Sequence, residues 1–214
     1  MRRCLNWAGF GLKQRESFAS PRNSPFYAPV FTHVSPLPTL QKLINECNFD
    51  KTQKKSSVTV SSGNINIGIP ENNPIGVSST LVANVPSGAS ILSLSVTFNI
   101  QHPFDSDLVI NLKAPNGQVL NLARNVGGSG DNFVNTIVSS TASVRIDLGS
   151  APFTGTFLPS AATVTAPTAY PSTTSVFSDL FWVPSGSWTF AVADVFNRDI
   201  GLLQNWAITI NYRT

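Results

Sequence analysis

Apolar and polar residues alternate with a period of two along much of this chain after residue 64. The cleanest run is Ile91–Phe98, where Leu92, Leu94, Val96 and Phe98 alternate with Ile91, Ser93, Ser95 and Thr97. Period two sends successive side chains to opposite faces, so it predicts a half-buried strand. After the loop Gln101–Asp107, the residues Leu108, Ile110 and Leu112 resume the alternation. Pro115-Asn116-Gly117 predicts a turn, because Asn and Gly tolerate positive φ, and Val119, Leu120 and Leu122 then form a return strand.

The same reading extends in both directions. Ile65, Ile67 and Ile69 alternate, and Gly76–Val85, Phe133–Val138, Ser143–Leu148, Ser187–Val195 and Gln204–Tyr212 read as strands. Val58-Thr59-Val60 is either a first strand or part of a linker. Pro86-Ser87-Gly88 and Pro184-Ser185-Gly186 are turns, Arg124–Asn132 is a Gly-rich loop, and Gly149–Tyr170 is a long Pro- and Thr-rich excursion. Val176–Val183 is mixed. Short strands at this spacing, punctuated by Gly and Pro, predict an all-β sandwich over residues 56–214.

Residues 1–55 follow another pattern. Pro21, Pro25, Pro29, Pro36 and Pro38 break any long helix, while Phe26, Tyr27, Val30 and Phe31 add apolar spots uncommon in a disordered linker. Thr39 caps a predicted short helix through Cys47, with Leu40, Leu43, Ile44 and Cys47 on one face. Lys51–Lys55 marks the boundary between this irregular arm and the sandwich.

Composition sharpens the division. Charged residues are 12% and hydrophobic residues 42%, a balance suited to a β-domain with a neutral polar surface of the extracellular kind. The net charge of +3 is unevenly placed: residues 1–55 carry nine Lys or Arg against three carboxylates, and the remainder five against eight. The basic residues of the arm are scattered, so nucleic acid is not an expected partner. No stretch approaches the roughly 20 apolar residues of a membrane span. Met1-Arg2-Arg3 followed by Cys4–Leu12 resembles a secretory leader, but Asn6 interrupts it and Lys13 closes it early, and an altered gene start reads equally well. Cys4 and Cys47 both lie in the arm, and their spacing does not say whether they pair.

Candidate chemistry concentrates in the loop Gln101–Asp107. Asp105-Ser-Asp107 begins like a calcium loop, and Asp194 ends a strand, so Asp105, Asp107 and Asp194 are candidate ligands for Ca²⁺, a hard ion that takes several oxygens. The Gly and distal Glu of an EF-hand are missing, with Ile110 and Asn116 in their places. The competing reading is structural: carboxylates at strand ends accept backbone N–H bonds, and His102 braces the loop. Phe181-Trp182 is a candidate binding surface for a sugar or a protein. With only His33 and His102 in the chain, and no nucleophile segment, a Ser-His-Asp arrangement is hard to assemble. Ser129 in Gly127-Gly-Ser-Gly-Asp131 misses the last Gly of a nucleophile elbow, and no Gly-Lys-Ser/Thr follows to make a phosphate loop.

Four blocks carry a family resemblance. His102-Pro-Phe-Asp-Ser-Asp-Leu-Val-Ile-Asn-Leu-Lys-Ala-Pro-Asn-Gly117 resembles the core of the P domain (Homo B domain) of kexin- and furin-like proprotein convertases. Phe153–Pro159, Gly186–Asp194 and Leu203–Ile210 resemble its later segments, in the same order. Ala114 replaces a small Ser and Phe157 an aromatic Tyr. The resemblance implies a jelly-roll-type β-sandwich of about eight strands, without catalytic residues, that accompanies and stabilises a subtilisin-like protease domain. It leaves residues 1–55 unexplained.

Three functions stay open on this basis. One is a non-catalytic P-domain-like module acting through stabilisation or protein–protein contact, with a protease as partner. Another is a carbohydrate-binding jelly roll. The third is a coat or fibre subunit whose arm docks on copies of itself. No cofactor is required by any of them, and Ca²⁺ is the one ion the residues suggest.

Overall fold

The computed structural model describes residues 53–160, 170–182 and 185–214. Residues 1–52 of the arm, with the helix expected at 39–47 and both cysteines, lie outside them. The described residues form ten strands: β1 (Lys55–Ser61), β2 (Ile67–Ile69), β3 (Val77–Ala83), β4 (Ser90–Gln101), β5 (Leu108–Lys113), β6 (Val119–Arg124), β7 (Phe133–Ser139), β8 (Gly155–Phe157), β9 (Gly186–Asp194) and β10 (Gly201–Arg213). Eight of these have six residues or more, and β2 and β8 have three. One sheet has the order β1-β10-β4-β7-β8, with β2 also on β10, and the other β3-β9-β5-β6. Only β7–β8 is parallel. Two such sheets face to face make the expected sandwich.

The alternation in β4 becomes its burial pattern. Leu94, Val96, Phe98 and Ile100 are buried, and the residues between them are half-exposed. On β10 their register partners are Ile210, Ile208, Trp206 and Leu203, all equally buried. Trp188, Phe190 and Val192 of β9 and Leu108, Ile110 and Leu112 of β5 supply the other inner face. The sheets meet where Phe190 stacks on Trp206 at 5.4 Å and tilts against Phe98 at 5.2 Å. Such ring pairs add roughly 0.5–1.5 kcal/mol beyond the area they bury.

Strand β5 departs from the simple alternation, because Val109 and Asn111 are buried as well. Its outer face is covered by chain returning from the excursion. The Asn111 side-chain amide donates to the Tyr170 carbonyl at 3.0 Å, and the Thr173 N–H donates to the Val119 carbonyl at 2.9 Å on the free edge of β6. Asn121 completes this layer by donating to Asn111 Oδ1 at 2.8 Å. Its Nδ2 donates to the Ile110 and Ala123 carbonyls as well, which offsets the cost of burying that end of the amide.

Ser143–Leu148 is not a strand. Only Arg145 bridges to Leu158, and Ile146–Leu148 is a 3₁₀ turn. Its alternation does not become a burial pattern: of Val144, Ile146 and Leu148, which a strand would put on one face, only Ile146 is buried. The edge of β7 that it would need is taken by β8. Val58-Thr59-Val60 resolves as strand, since β1 pairs with β10 along its whole length.

The β5–β6 hairpin turns where the sequence places it. The Gly117 N–H donates to the Ala114 carbonyl at 2.9 Å, and Gly117 has φ +86°. A Cβ there meets nothing within 4 Å, so an Ala would suffer from its backbone angle alone. Gly117→Ala is expected to cost about 1–2 kcal/mol, read as a shift in urea midpoint at constant m.

Candidate functional site

At one end of the sandwich, β4 runs into β5, β6 into β7, and β9 into β10. Three loops therefore meet, and they hold most of the residues singled out by the sequence. His102 follows the last residue of β4 and is fully buried. Its N–H donates to Asn132 Oδ1 at 2.9 Å, and its carbonyl accepts from the Asn132 N–H at 3.0 Å. The loop after β4 is thus clamped to the loop before β7.

The His102 ring reaches the third loop. Nε2 lies 3.1 Å from Asp194 Oδ2, with both side chains shut off from solvent. An ionised carboxylate only accepts, so this contact places a proton on Nε2. Nδ1 faces the backbone of Phe104, 2.9 Å from its carbonyl and 3.1 Å from its N–H. The other Asp194 oxygen, Oδ1, accepts from the Phe196 N–H at 2.9 Å. Asp194 therefore ends β9, caps the following loop and holds His102 at once.

Asp105–Asp107 forms a 3₁₀ turn, which places its two carboxylates differently. Asp107 is nearly buried and accepts the Val195 N–H through its backbone carbonyl at 2.9 Å. Burial pushes its carboxyl above the usual range, with the charges of Asp194 and Asp199 adding and His102 opposing. Asp105 faces the Gly-rich loop instead. It is fully buried, and neither carboxylate oxygen accepts a hydrogen bond from the described residues. Desolvation raises its pKa to about 7; the backbone of Asn132 opposes the rise and the charge of Asp131 adds to it.

The structure thus brings His102 and Asp194 into contact, sets Asp107 beside them, and lays Asp105 against the glycine loop that precedes Asp131. Among the described residues, no three His, Cys, Asp or Glu side chains are arranged to hold a metal ion. Asp131 is not marked by any motif, since its loop fits neither a nucleophile elbow nor a phosphate loop. Its one local signal is the run of glycines that lets backbone lie against Asp105.

Phe181 and Trp182 lie elsewhere. Phe181 is half-buried and lines an apolar groove of about 510 Å³ with Leu92, Leu158, Val176 and Phe177. Leu92 is near the start of β4, so the groove is at the end opposite His102. Trp182 is 86% exposed. No described helix is long and apolar enough to cross a membrane.

Comparison with known proteins agrees with the first block read from the sequence, His102–Gly117. The family described as proprotein convertase P-domain matches residues 91–147, from β4 through β7 to the Ile146–Leu148 turn. Leupeptin-inactivating enzyme 1 of Streptomyces exfoliatus is 26% identical over 143 residues, covering 67% of this chain and 24% of that protein. The chain therefore spans about a quarter of that relative's length. Among solved structures, the Aeromonas sobria serine protease in complex with its chaperone is similar over 81% of this chain and 30% of that one, at 14% identity and a TM-score of 0.45. The same protease without the chaperone gives 79%, 30%, 12% and 0.43. Residues 91–147, at the centre of the sandwich, are thus similar to the proprotein convertase P-domain.

Proposed function

We propose that this chain is a non-catalytic module that binds and stabilises a protease domain outside the cell. The observation that carries this reading is the P-domain match over β4–β7, since P domains are companion modules rather than catalytic ones. The site geometry supports it. A hydrolase of the Ser-His-Asp type needs an imidazole that reaches a nucleophile and substrate. His102 is fully buried, with Nε2 on Asp194 and Nδ1 on backbone. It serves as a brace.

The groove beside Phe181 and the exposed Trp182 supply the contact surface. Aromatic anchors beside apolar grooves dominate binding energy at protein interfaces. The test is to add the full chain to a subtilisin-like catalytic domain separated from its own P domain. The expected result is a higher melting temperature for that domain, with the gain reduced by Trp182→Ser. Trp182→Ser itself is expected to change the chain's own stability by no more than about 0.5 kcal/mol. No stabilisation of the catalytic domain would sink the reading.

The exposure of Trp182 also favours a second reading, a carbohydrate-binding jelly roll, since indole rings stack on sugars. A glycan array bound by wild type and not by Trp182→Ser would establish it, and an array without hits would remove it.

A further inference from the structure

We propose that the loops 102–107 and 125–132 together hold one divalent cation of calcium's kind, bound by the carboxylates of Asp105 and Asp131 and by backbone carbonyls of the glycine loop. This inference does not depend on the protease-binding reading. Its starting point is Asp105, fully buried with both carboxylate oxygens unpartnered. Native structures seldom leave such a group alone, because an unpaired buried charge costs several kcal/mol.

The loop facing Asp105 is built to bring backbone against it. A Cβ on Gly127 would come within 3.0 Å of Asp105 Cβ and 2.8 Å of the Phe153 ring. A Cβ on Gly130 would sit 2.5 Å from Ala151 Cβ and 3.8 Å from Asp105 Oδ2. Only glycine fits at either place. The Asp105 N–H donates to the Gly130 carbonyl at 2.8 Å, and the Ser106 N–H to the Gly128 carbonyl at 3.2 Å. Each carbonyl keeps a second lone pair. The next residue, Asp131, is close enough for its charge to act on Asp105. Two like charges held by one loop pair repel, and a cation between them reverses the sign. Asp131 also lines a cleft of about 520 Å³ with Gln101, Pro103, Asn132, Ile200 and Leu202, so its carboxylate is reached by solvent.

The donor set selects the ion. Carboxylate and carbonyl oxygens are hard ligands, and Ca²⁺ accepts irregular sets of them together with water. Zinc-type sites want His or Cys, and His102 is already engaged by Asp194. Asp107 and Asp194 are left out of the site, in contrast to the three-aspartate set suggested by the sequence.

Equilibrium dialysis of the full chain against CaCl2 tests the proposal directly. One ion should bind per chain, binding should vanish in Asp105→Asn, and Asp131→Asn should weaken it by about tenfold or more. Asp107→Asn should bind as wild type. Calcium should also raise the melting temperature of wild type and not of Asp105→Asn. Asp131 is exposed, so its variant reports on binding in a folded chain, which circular dichroism checks. If wild type binds no calcium, if Asp105→Asn binds it undiminished, or if Asp107→Asn loses it equally, the assignment is overturned.

Discussion

Asp194→Ala is expected to lower the free energy of unfolding by about 3–5 kcal/mol, because it leaves the buried His102 ring N–H and the Phe196 N–H without an acceptor. Two connections fail together. His102 Nε2 loses its acceptor at 3.1 Å, and the Phe196 N–H loses its acceptor at 2.9 Å. His102 gains no water in exchange, because both it and Asp194 are fully buried. For a domain of this size the loss corresponds to roughly 6–20 °C in melting temperature. Urea denaturation of Asp194→Ala, His102→Ala and the double variant measures the coupling between them. The double variant should cost clearly less than the sum of the singles. A loss under about 1 kcal/mol in Asp194→Ala would remove the brace from the account.

Stability in EDTA is expected to fall as pH rises through the weakly acidic range. The cause is Asp105, whose pKa stands near 7 in the folded chain against 3.8 for an ordinary Asp. The folded state therefore holds a proton that the unfolded chain has already released. Since stability decreases with pH wherever the folded state binds more protons, the decline starts near the unfolded value and ends near the folded one. Below that window the favourable contribution is fully present, and above it the contribution is lost. The drop is up to about 4 kcal/mol if the whole shift is expressed. Asp107, also raised by burial, acts in the same direction. Asp105→Asn carries no proton to lose, so its curve should be flatter and should lie above wild type at neutral pH. Urea midpoints of both proteins between about pH 4 and 8 decide the matter, and parallel curves would show that Asp105 titrates normally.

The two predictions concern residues that the sequence located but did not connect. His102, Asp105, Asp107 and Asp194 all stood out as polar groups at strand ends. That His102 meets Asp194, 92 residues away, follows from the β5–β9 pairing, in which Leu108 lies opposite Asp194. That Asp105 answers to Asp131 follows from the loop after β6 folding back on the 3₁₀ turn. Phe181 and Trp182 stood out only as aromatics after an irregular stretch. One of them lines a groove and the other stands in solvent.

The strands themselves were largely legible. Period-two alternation and turn chemistry are local, so β4, β9, β10 and the β5–β6 hairpin could be read from the residues alone. Residues 143–148 misled because alternation reports which side chains want burial, while a strand also needs a free edge, and β8 occupies that edge. Strand β5 misled for a related reason. A period of two describes one covering layer, and the return of residues 170–174 adds a second. The chain alone therefore determined the all-β class, the main strands, the P-domain resemblance of residues 91–147 and the polar loop at the sheet end. Only the tertiary structure decided which faces are doubly covered and which acid shares a loop with which, because burial and charge pairing depend on segments that are distant in sequence and adjacent only after the two sheets close.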